Sequence, residues 1–510
     1  MIRSAARGCI REPGTFFNPL RTQYVKIAGE VCPHIDKEPN MSARGSQSRI
    51  DRRRFLRSAA GAGAALALGP VALGQPAAPA PSDQINVALI GAGNQGKVLT
   101  EAARRIEGVR FRAVCDIWSF NRKWASRRLK AYGHPCNAYE DIGEMLARER
   151  DLDAVLIATP DFWHAPHTVA CLDAGLHVYC EKEMSNTLEG ARQMVEAARK
   201  SGRLLQIGHQ RRSNPLYVFC REKLLHEVAL LGQIVAVNGQ WNRAARAPRG
   251  WPKHAAIDQA TLKKYGYESM HQFRNWRWYK GLGGGPIVDL GSHQIDVYNW
   301  FLDARPVAVL ASGRTNYYDK KTHEWYDTVM AVYEYDTAAG PVSASYQTLS
   351  ANGNRGYFEK FMGHQGTLII SERSSLSVLY PEPLGDDAIA WARCLKQGYL
   401  TAPQEVMEMV DRMSLQQLAR AFNVAPTPLP VVSGSAPAAT ASVLSCQPAV
   451  TMDKLVHQPH LENFFDAIRG AAELTCSAEV GYETAVTVLK VNQAVEAGRK
   501  LHFQLGEFTV

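Results

Sequence analysis

Gly91, Gly93 and Gly96 stand in "GAGNQG", directly behind the apolar run "INVALI" and ahead of "NQGKVLTEAARRI", which continues at helical spacing. In a glycine pattern of this kind the first residue permits a tight turn. The second lets a pyrophosphate reach the backbone, and the third lets helix pack on strand. The anion then sits at the helix N-terminus, with Asn94 and Gln95 in the same loop. Twenty residues after Gly96 the segment "VRFRAVCD" ends in Asp116. An acid there accepts hydrogen bonds from adenosine ribose hydroxyls and repels a 2′-phosphate, so the loop points to NAD more than NADP. Arg122 and Lys123 lie close enough in sequence to soften that preference.

A second group of reactive side chains lies downstream. Thr159, Pro160, Glu181, Lys182 and His209 all fall at the C-terminal ends of apolar strand segments, where doubly wound sheets carry their chemistry. Beyond the glycine run 283–285, the segment from Pro286 reads as a helix. Asp289, His293 and Asp296 follow at spacings of four and three and are expected on one face.

Positioning these groups takes two domains. Strand segments, among them "INVALIGAG", "VRFRAVCD", "DAVLIATP", "HVYCEKE" and "LLQIGHQRR", alternate with helical ones over 84–209, which predicts a six-stranded, doubly wound parallel Rossmann sheet. Residues 210–510 read as an α+β substrate and oligomerisation domain. There "QIVAVNGQWN", "VAVLASGRTN", "DTVMAVYEYD" and "PVSASYQTL" follow without such alternation, as in a large, mostly antiparallel sheet open on one face. Within it, 376–455 reads as an irregular insertion, with "SSLSVLYPEP" as loop around a helical piece "QEVMEMVDRMSLQQLARAF", and 456–505 as helices packing back.

The net charge of +9 divides unevenly. The first 74 residues hold 12 Lys and Arg against 5 Asp and Glu, and the remainder 46 against 44. The body therefore has no surplus to draw it to a nucleic acid. Residues 41–74 contain "RRRFLRSAAGAGAALALG": charge, a short apolar stretch and small residues, the pattern of an export signal resembling the twin-arginine type. It is too short for stable membrane insertion. Residues 1–40 fit no part of that pattern and read as disordered or preceding the true start at Met41; 75–83 reads as a linker. The ten cysteines form no C-x-x-C and no zinc spacing, so no metal is expected and burial is the ordinary reading.

Taken together, "GAGNQG", "ATPDFWH", "EKE" and "GGGPIVDLGSHQID" resemble the glucose–fructose oxidoreductase and inositol dehydrogenase (Gfo/Idh/MocA) family over about 84–375 and 456–505. The resemblance implies a nicotinamide cofactor, a sugar or polyol substrate, and a homo-oligomer formed through the open sheet face. It places His164 of "ATPDFWH" at the cofactor, Lys182 in the active site, and the D-x-x-x-H pair on Asp289 and His293. His293 then suits a general base, Lys182 a donor to the developing alkoxide, and Asp289 a substrate or histidine partner. Arg211, Arg212, Asn214 and Asp296 are open between substrate contact and structure, as are Trp276 and Trp278 between a sugar-stacking wall and core. Asp327 reads as a strand-start acid or a site residue. The family's Glu-Lys-Pro is here Glu-Lys-Glu, so a cis bond after Lys182 is not expected and Glu183 adds a carboxylate.

The activity implied is an exported NAD(P)-dependent oxidoreductase on a sugar or cyclitol, with the cofactor tightly bound because it must be recycled in place. A glycosidase working by transient oxidation, elimination, hydration and re-reduction is the alternative, and a non-catalytic sugar or cofactor binder is a third reading.

Overall fold

The computed structural model describes residues 84–382, 388–423 and 445–510. The expected export signal, linker and early start lie outside the described residues.

Six parallel strands form the first sheet: β1 (Ile85–Ile90), β2 (Val109–Cys115), β3 (Asn137–Tyr139), β4 (Ala154–Ile157), β5 (His177–Cys180) and β6 (Leu205–Ile207). Their order is β3-β2-β1-β4-β5-β6, the doubly wound arrangement expected. Every side chain of β4, "AVLI", is buried, as befits a central strand covered on both faces. The segment far along the chain completes this packing: Leu461, Phe464 and Phe465 of helix Gln458–Ile468 join the core against Val87, Leu89 and Leu156.

The second sheet runs in the order β13-β12-β11-β7-β10-β9-β8, with the two-residue strand Leu501–His502 at its edge. Its strands are β7 (Ile234–Asn242), β8 (Pro306–Arg314), β9 (Thr328–Thr337), β10 (Gly340–Leu349), β11 (Tyr357–Gly363), β12 (Gly366–Ile370) and β13 (Val378–Pro381). All neighbours are antiparallel except β7 and β10. Strand β9 shows why the sheet has two different faces: Val329, Ala331, Tyr333 and Tyr335 are buried while Met330 and Val332 alternate outward. Helix Ala478–Ala497 packs on the buried face beside β8.

Two local readings change. "SSLSVLYPEP" contains strand β13 rather than loop, because Leu379 and Pro381 alternate inward and pair with the β12 edge. The Lys182–Glu183 peptide is cis, although no proline follows the lysine. The bend is enclosed instead: the Glu183 side chain is fully buried, its Oε1 accepts from Met184 N at 2.8 Å, and its carbonyl lies 2.7 Å from His164 Nδ1.

Candidate active site

A cavity of about 930 Å³ opens at the C-terminal ends of β1, β2, β4 and β5 and reaches across to the second sheet. On the Rossmann side, Gly91 has φ +89°, and a Cβ there would come within 2.7 Å of the Ala158 carbonyl group. At Gly96 a Cβ would be driven into the carbonyl oxygen of Gly91. Both glycines are thus demanded by the close approach of strand, loop and helix. A Cβ on Gly93 would meet nothing within 4 Å; that side of the loop is open. Gly93 caps helix Asn94–Ala103 with no side-chain hydrogen bond and no acid in the first turn, leaving its backbone N–H groups for an anion. This cradle fits a dinucleotide pyrophosphate.

Asp116 closes the loop from β2. Its Oδ2 accepts from Ala92 N at 2.8 Å and from Asn121 Nδ2, and its Oδ1 from Trp118 N at 2.8 Å, which leaves acceptor capacity on Oδ1. Arg122 is spent elsewhere, donating to the Asp116 and Ile117 carbonyls and pairing with Glu140 at 3.2 Å. Gln95 donates to Glu181 Oε1 at 2.9 Å and lies 2.9 Å from Nε2 of His457. His457 was invisible as a site residue in the sequence; it arrives from the far C-terminal segment and lines the cavity beside Leu455 and Val456.

Asn94, Thr159, Pro160 and Glu181 line the same space. His164 does too, but its Nδ1 and Nε2 lie 2.7 and 2.8 Å from the Glu183 and Thr159 carbonyls. Burial lowers its pKa to about 4, so the neutral ring donates to only one of the two. The residue holds strand ends together rather than offering a free donor.

Lys182, just beyond β5 on the Rossmann side, meets Asp289 and His293 of the second domain in this cavity. Lys182 Nζ donates to the Asp289 carbonyl and lies 3.8 Å from its Oδ1. Arg277 Nε donates to Oδ1 at 3.0 Å and Arg243 lies 3.5 Å from Oδ2. Burial alone would raise the Asp289 carboxyl, but Arg277, Lys182 and Arg243 overcome it and hold it far below the usual range. Burial, with the charges of Lys182 and Arg211, drops His293 well below 6.5, so the ring is neutral at pH 7. Its Nδ1 is buried without a partner, and the residue lines the cavity. Trp241, 5.3 Å from the His293 ring and stacked on Tyr357 at 4.4 Å, adds an aromatic wall that the sequence motifs did not reveal. Asp161, at the start of helix Asp161–Asp173, also lines the cavity, and burial pushes its carboxyl up to about 7.

Asp296 does not share this face. A π-turn over Ile287–Gly291 sets the offset of Asp289 alone, while Asp296 lies within helix Ser292–Leu302 with His293 and is drawn away from the cavity by its partners. Asp296 instead accepts from Arg212 Nε at 2.9 Å and from Thr484 Oγ1 at 2.9 Å, with His209 Nδ1 at 3.9 Å. Arg211 is buried between Glu359 and Glu372. Arg211, Arg212 and Asp296 lie outside the cavity lining. Asn214 caps helix Pro215–Phe219 by accepting from Leu216 N at 2.9 Å. Asp327 accepts from the backbone N–H groups of Asn316, Tyr317 and Tyr318. Trp276 is part of an aromatic core cluster and touches the cavity, whereas Trp278 stacks on His323 at 3.7 Å in an adjoining annexe. Among the described residues no group of three His, Cys, Asp or Glu could hold a metal, and all eight described cysteines are unpaired.

The family model described as "Oxidoreductase family, NAD-binding Rossmann fold" matches residues 85–209, and that of the GFO/IDH/MocA C-terminal domain matches 227–369. The chain belongs to the Gfo/Idh/MocA family. The cofactor that the Gfo/Idh/MocA cradle fits is therefore NAD. An inositol 2-dehydrogenase of Rubrobacter xylanophilus is 25% identical over 303 residues, 58% of this chain and 72% of its own. A glycosyl hydrolase family 109 protein of Saccharopolyspora erythraea is 31% identical over 181 residues, 31% of this chain and 39% of its own. In other curated relatives the match spans 59% of their length. The aldose-aldose oxidoreductase of Caulobacter crescentus shares the fold, with a TM-score of 0.58 at 18% identity, covering 82% of this chain and 100% of that one.

Proposed function

We propose that the protein is an NAD-dependent oxidoreductase that moves a hydride between a hydroxyl-bearing carbon of a sugar or cyclitol and the nicotinamide. The observation that carries this reading is the meeting of Lys182, Asp289 and His293 in the cavity that the glycine loop opens. NAD supplies the hydride acceptor. His293 Nε2 takes the hydroxyl proton as a general base, which its neutral state permits. Lys182 donates to the same oxygen and stabilises its developing negative charge. Asp289, ion-paired with Arg277, anchors the lysine through its carbonyl. Trp241 and Tyr357 give the sugar ring an apolar wall.

The export reading rests on the arginine-led leader "RRRFLRSAAGAGAALALG" and places the mature protein in the periplasm, carried there folded by the twin-arginine machinery with its nucleotide bound. Similarity to the family 109 glycosyl hydrolase favours a second reading, in which oxidation, elimination, hydration and re-reduction cleave a glycoside without net redox change. Val235, Leu310, Met330 and Val332 on the open sheet face are the surface proposed to meet a second copy of the chain.

Denaturing the exported, purified protein and identifying the released nucleotide tests the pre-loaded cofactor; an empty protein overturns internal recycling. Adding sugars and polyols to the native protein and following reduced nicotinamide absorbance tests hydride transfer. Release of aglycone from aryl glycosides without added NAD selects the glycosidase instead. Absence of both, in protein holding its nucleotide, leaves only a binding role.

A further inference from the structure

Positive charge gathers around Asp289 in excess of what that carboxylate can neutralise. Lys182, Arg243 and Arg277 already share it. Arg246 and Arg249 then line the same cavity and also an adjoining annexe of about 140 Å³, walled by Trp278 and Tyr318, where five arginines face two carboxylates, Asp289 and Asp327, the latter engaged by three backbone N–H groups. Neither guanidinium has a carboxylate within ion-pair distance among the described residues.

Their presence is not slack chain. They belong to "RAARAPRG", the loop that leaves β7 after Asn242. Arg246 N donates to Tyr318 Oη at 2.9 Å, and Arg249 N donates to Asn275 Oδ1 at 2.8 Å while the Arg249 carbonyl accepts from Asn275 Nδ2. The backbone is thus pinned so that the arginines are presented to the cavity together. The arrangement opposes itself: burial and the neighbouring charges of Arg277, Arg274 and Arg246 pull Arg249 below its ordinary pKa, and Arg243 is lowered by burial and by Arg277 and Arg246. An anion entering the annexe relieves that repulsion, and planar guanidinium forks suit carboxylate and phosphate oxygens. Arg274 also lines the annexe, but its guanidinium is engaged elsewhere. It lies over the Trp118 ring at 4.7 Å and senses Asp116, which places it toward the adenosine end.

We propose that the substrate is an anionic sugar or glycoside, its carboxylate or phosphate held by Arg246 and Arg249 in the annexe while the hydroxyl to be oxidised lies between His293 and Lys182. This rests on the oxidoreductase reading for the hydroxyl, but the anion site stands on its own and is read by binding alone.

The test uses the purified, nucleotide-loaded protein and matched pairs: glucose with glucuronate, galactose with galacturonate, and glucose with glucose 6-phosphate. Affinities come from calorimetry at low and high salt, for the native chain and for the variant Arg246→Gln/Arg249→Gln. At least one anionic partner is expected to bind about tenfold or more tightly than its neutral twin, with the advantage shrinking in salt. In the variant the two partners converge. Preference for the uronates identifies a carboxylate ligand, and preference for the 6-phosphate a phosphate. Equal affinity within every pair overturns the proposal. So does a variant that sheds nucleotide while keeping the anion preference, because the arginines would then serve the cofactor pyrophosphate. Hydride transfer to neutral sugars without any anion preference sinks this inference and leaves the oxidoreductase; anion preference without hydride transfer does the reverse.

Discussion

Two clusters of arginine, acid and histidine stand close in sequence and differ in what they can do. Asp289, His293, Lys182, Arg243 and Arg277 face the cavity; Asp296, His209, Arg211 and Arg212 sit behind it. The side chains of Arg211 and Arg212 are 1% and 11% exposed, those of Arg243 and Arg277 34% and 43%. In the closed cluster each arginine is matched: Asp296 takes Arg212, and Glu359 and Glu372 enclose Arg211. In the open one, a single carboxylate serves three cations. Charge-matched pairs in a dry interior hold the fold in register. An unsaturated set beside a cavity is ready for a ligand.

The sharpest break between the clusters is a rate. His293→Ala is expected to lower turnover by about 10²–10⁴-fold with bound nucleotide and unfolding midpoint unchanged. Lys182→Met follows at about 10²–10³-fold, since it removes a donor to the developing charge. It also carries a pH signature. Lys182 helps hold His293 below 6.5, so the acid limb of kcat/KM lies below pH 6.5 in the native enzyme and moves upward in the variant. An acid limb that stays put in Lys182→Met removes the lysine from the neighbourhood of the base.

For the closed cluster the expected loss is stability. Arg211→Met leaves Glu359 and Glu372 without their cation and should cost about 3–5 kcal/mol in urea unfolding. If the variant unfolds like the native chain and instead raises KM, Arg211 belongs to the substrate and the two clusters are one site.

The same contrast explains what was legible in advance. The glycine loop, Asp116 and the strand-end residues follow from local pattern, because a Rossmann turn is built from consecutive residues. Asp289 and His293 were legible as a pair four apart, but Asp296 was not separable from them, since its partners Arg212 and Thr484 come from distant segments. Strand β3 is three residues long and β13 four, too short for periodicity to register. Trp241, Tyr357 and His457 reach the cavity from three separate segments, a meeting that only tertiary packing creates. The "RAARAPRG" arginines fall in a loop without period, where charge alone reads as a solvated surface.

Glu183 lies between the two clusters and offers a test that pH alone reads. It is fully buried after the lysine, and burial pushes its carboxyl up to about 8, with Asp161 on the cavity side and Asp296 on the closed side adding to the rise. An acid whose pKa is higher folded than unfolded binds more protons in the native state. Its stabilising protonation is therefore fully present below about pH 4.5 and is lost as pH climbs through about 8. Native stability should decline across that window by at most ~1.4 kcal/mol per pH unit from this group. Glu183→Gln keeps the shape and a hydrogen-bonding oxygen without the charge, so the difference between variant and native curves should grow from pH 5 to pH 8 in the variant's favour. Parallel curves would mean that Glu183 is ionised at neutral pH and balanced by Lys182, which would join the two clusters into one continuous charge network.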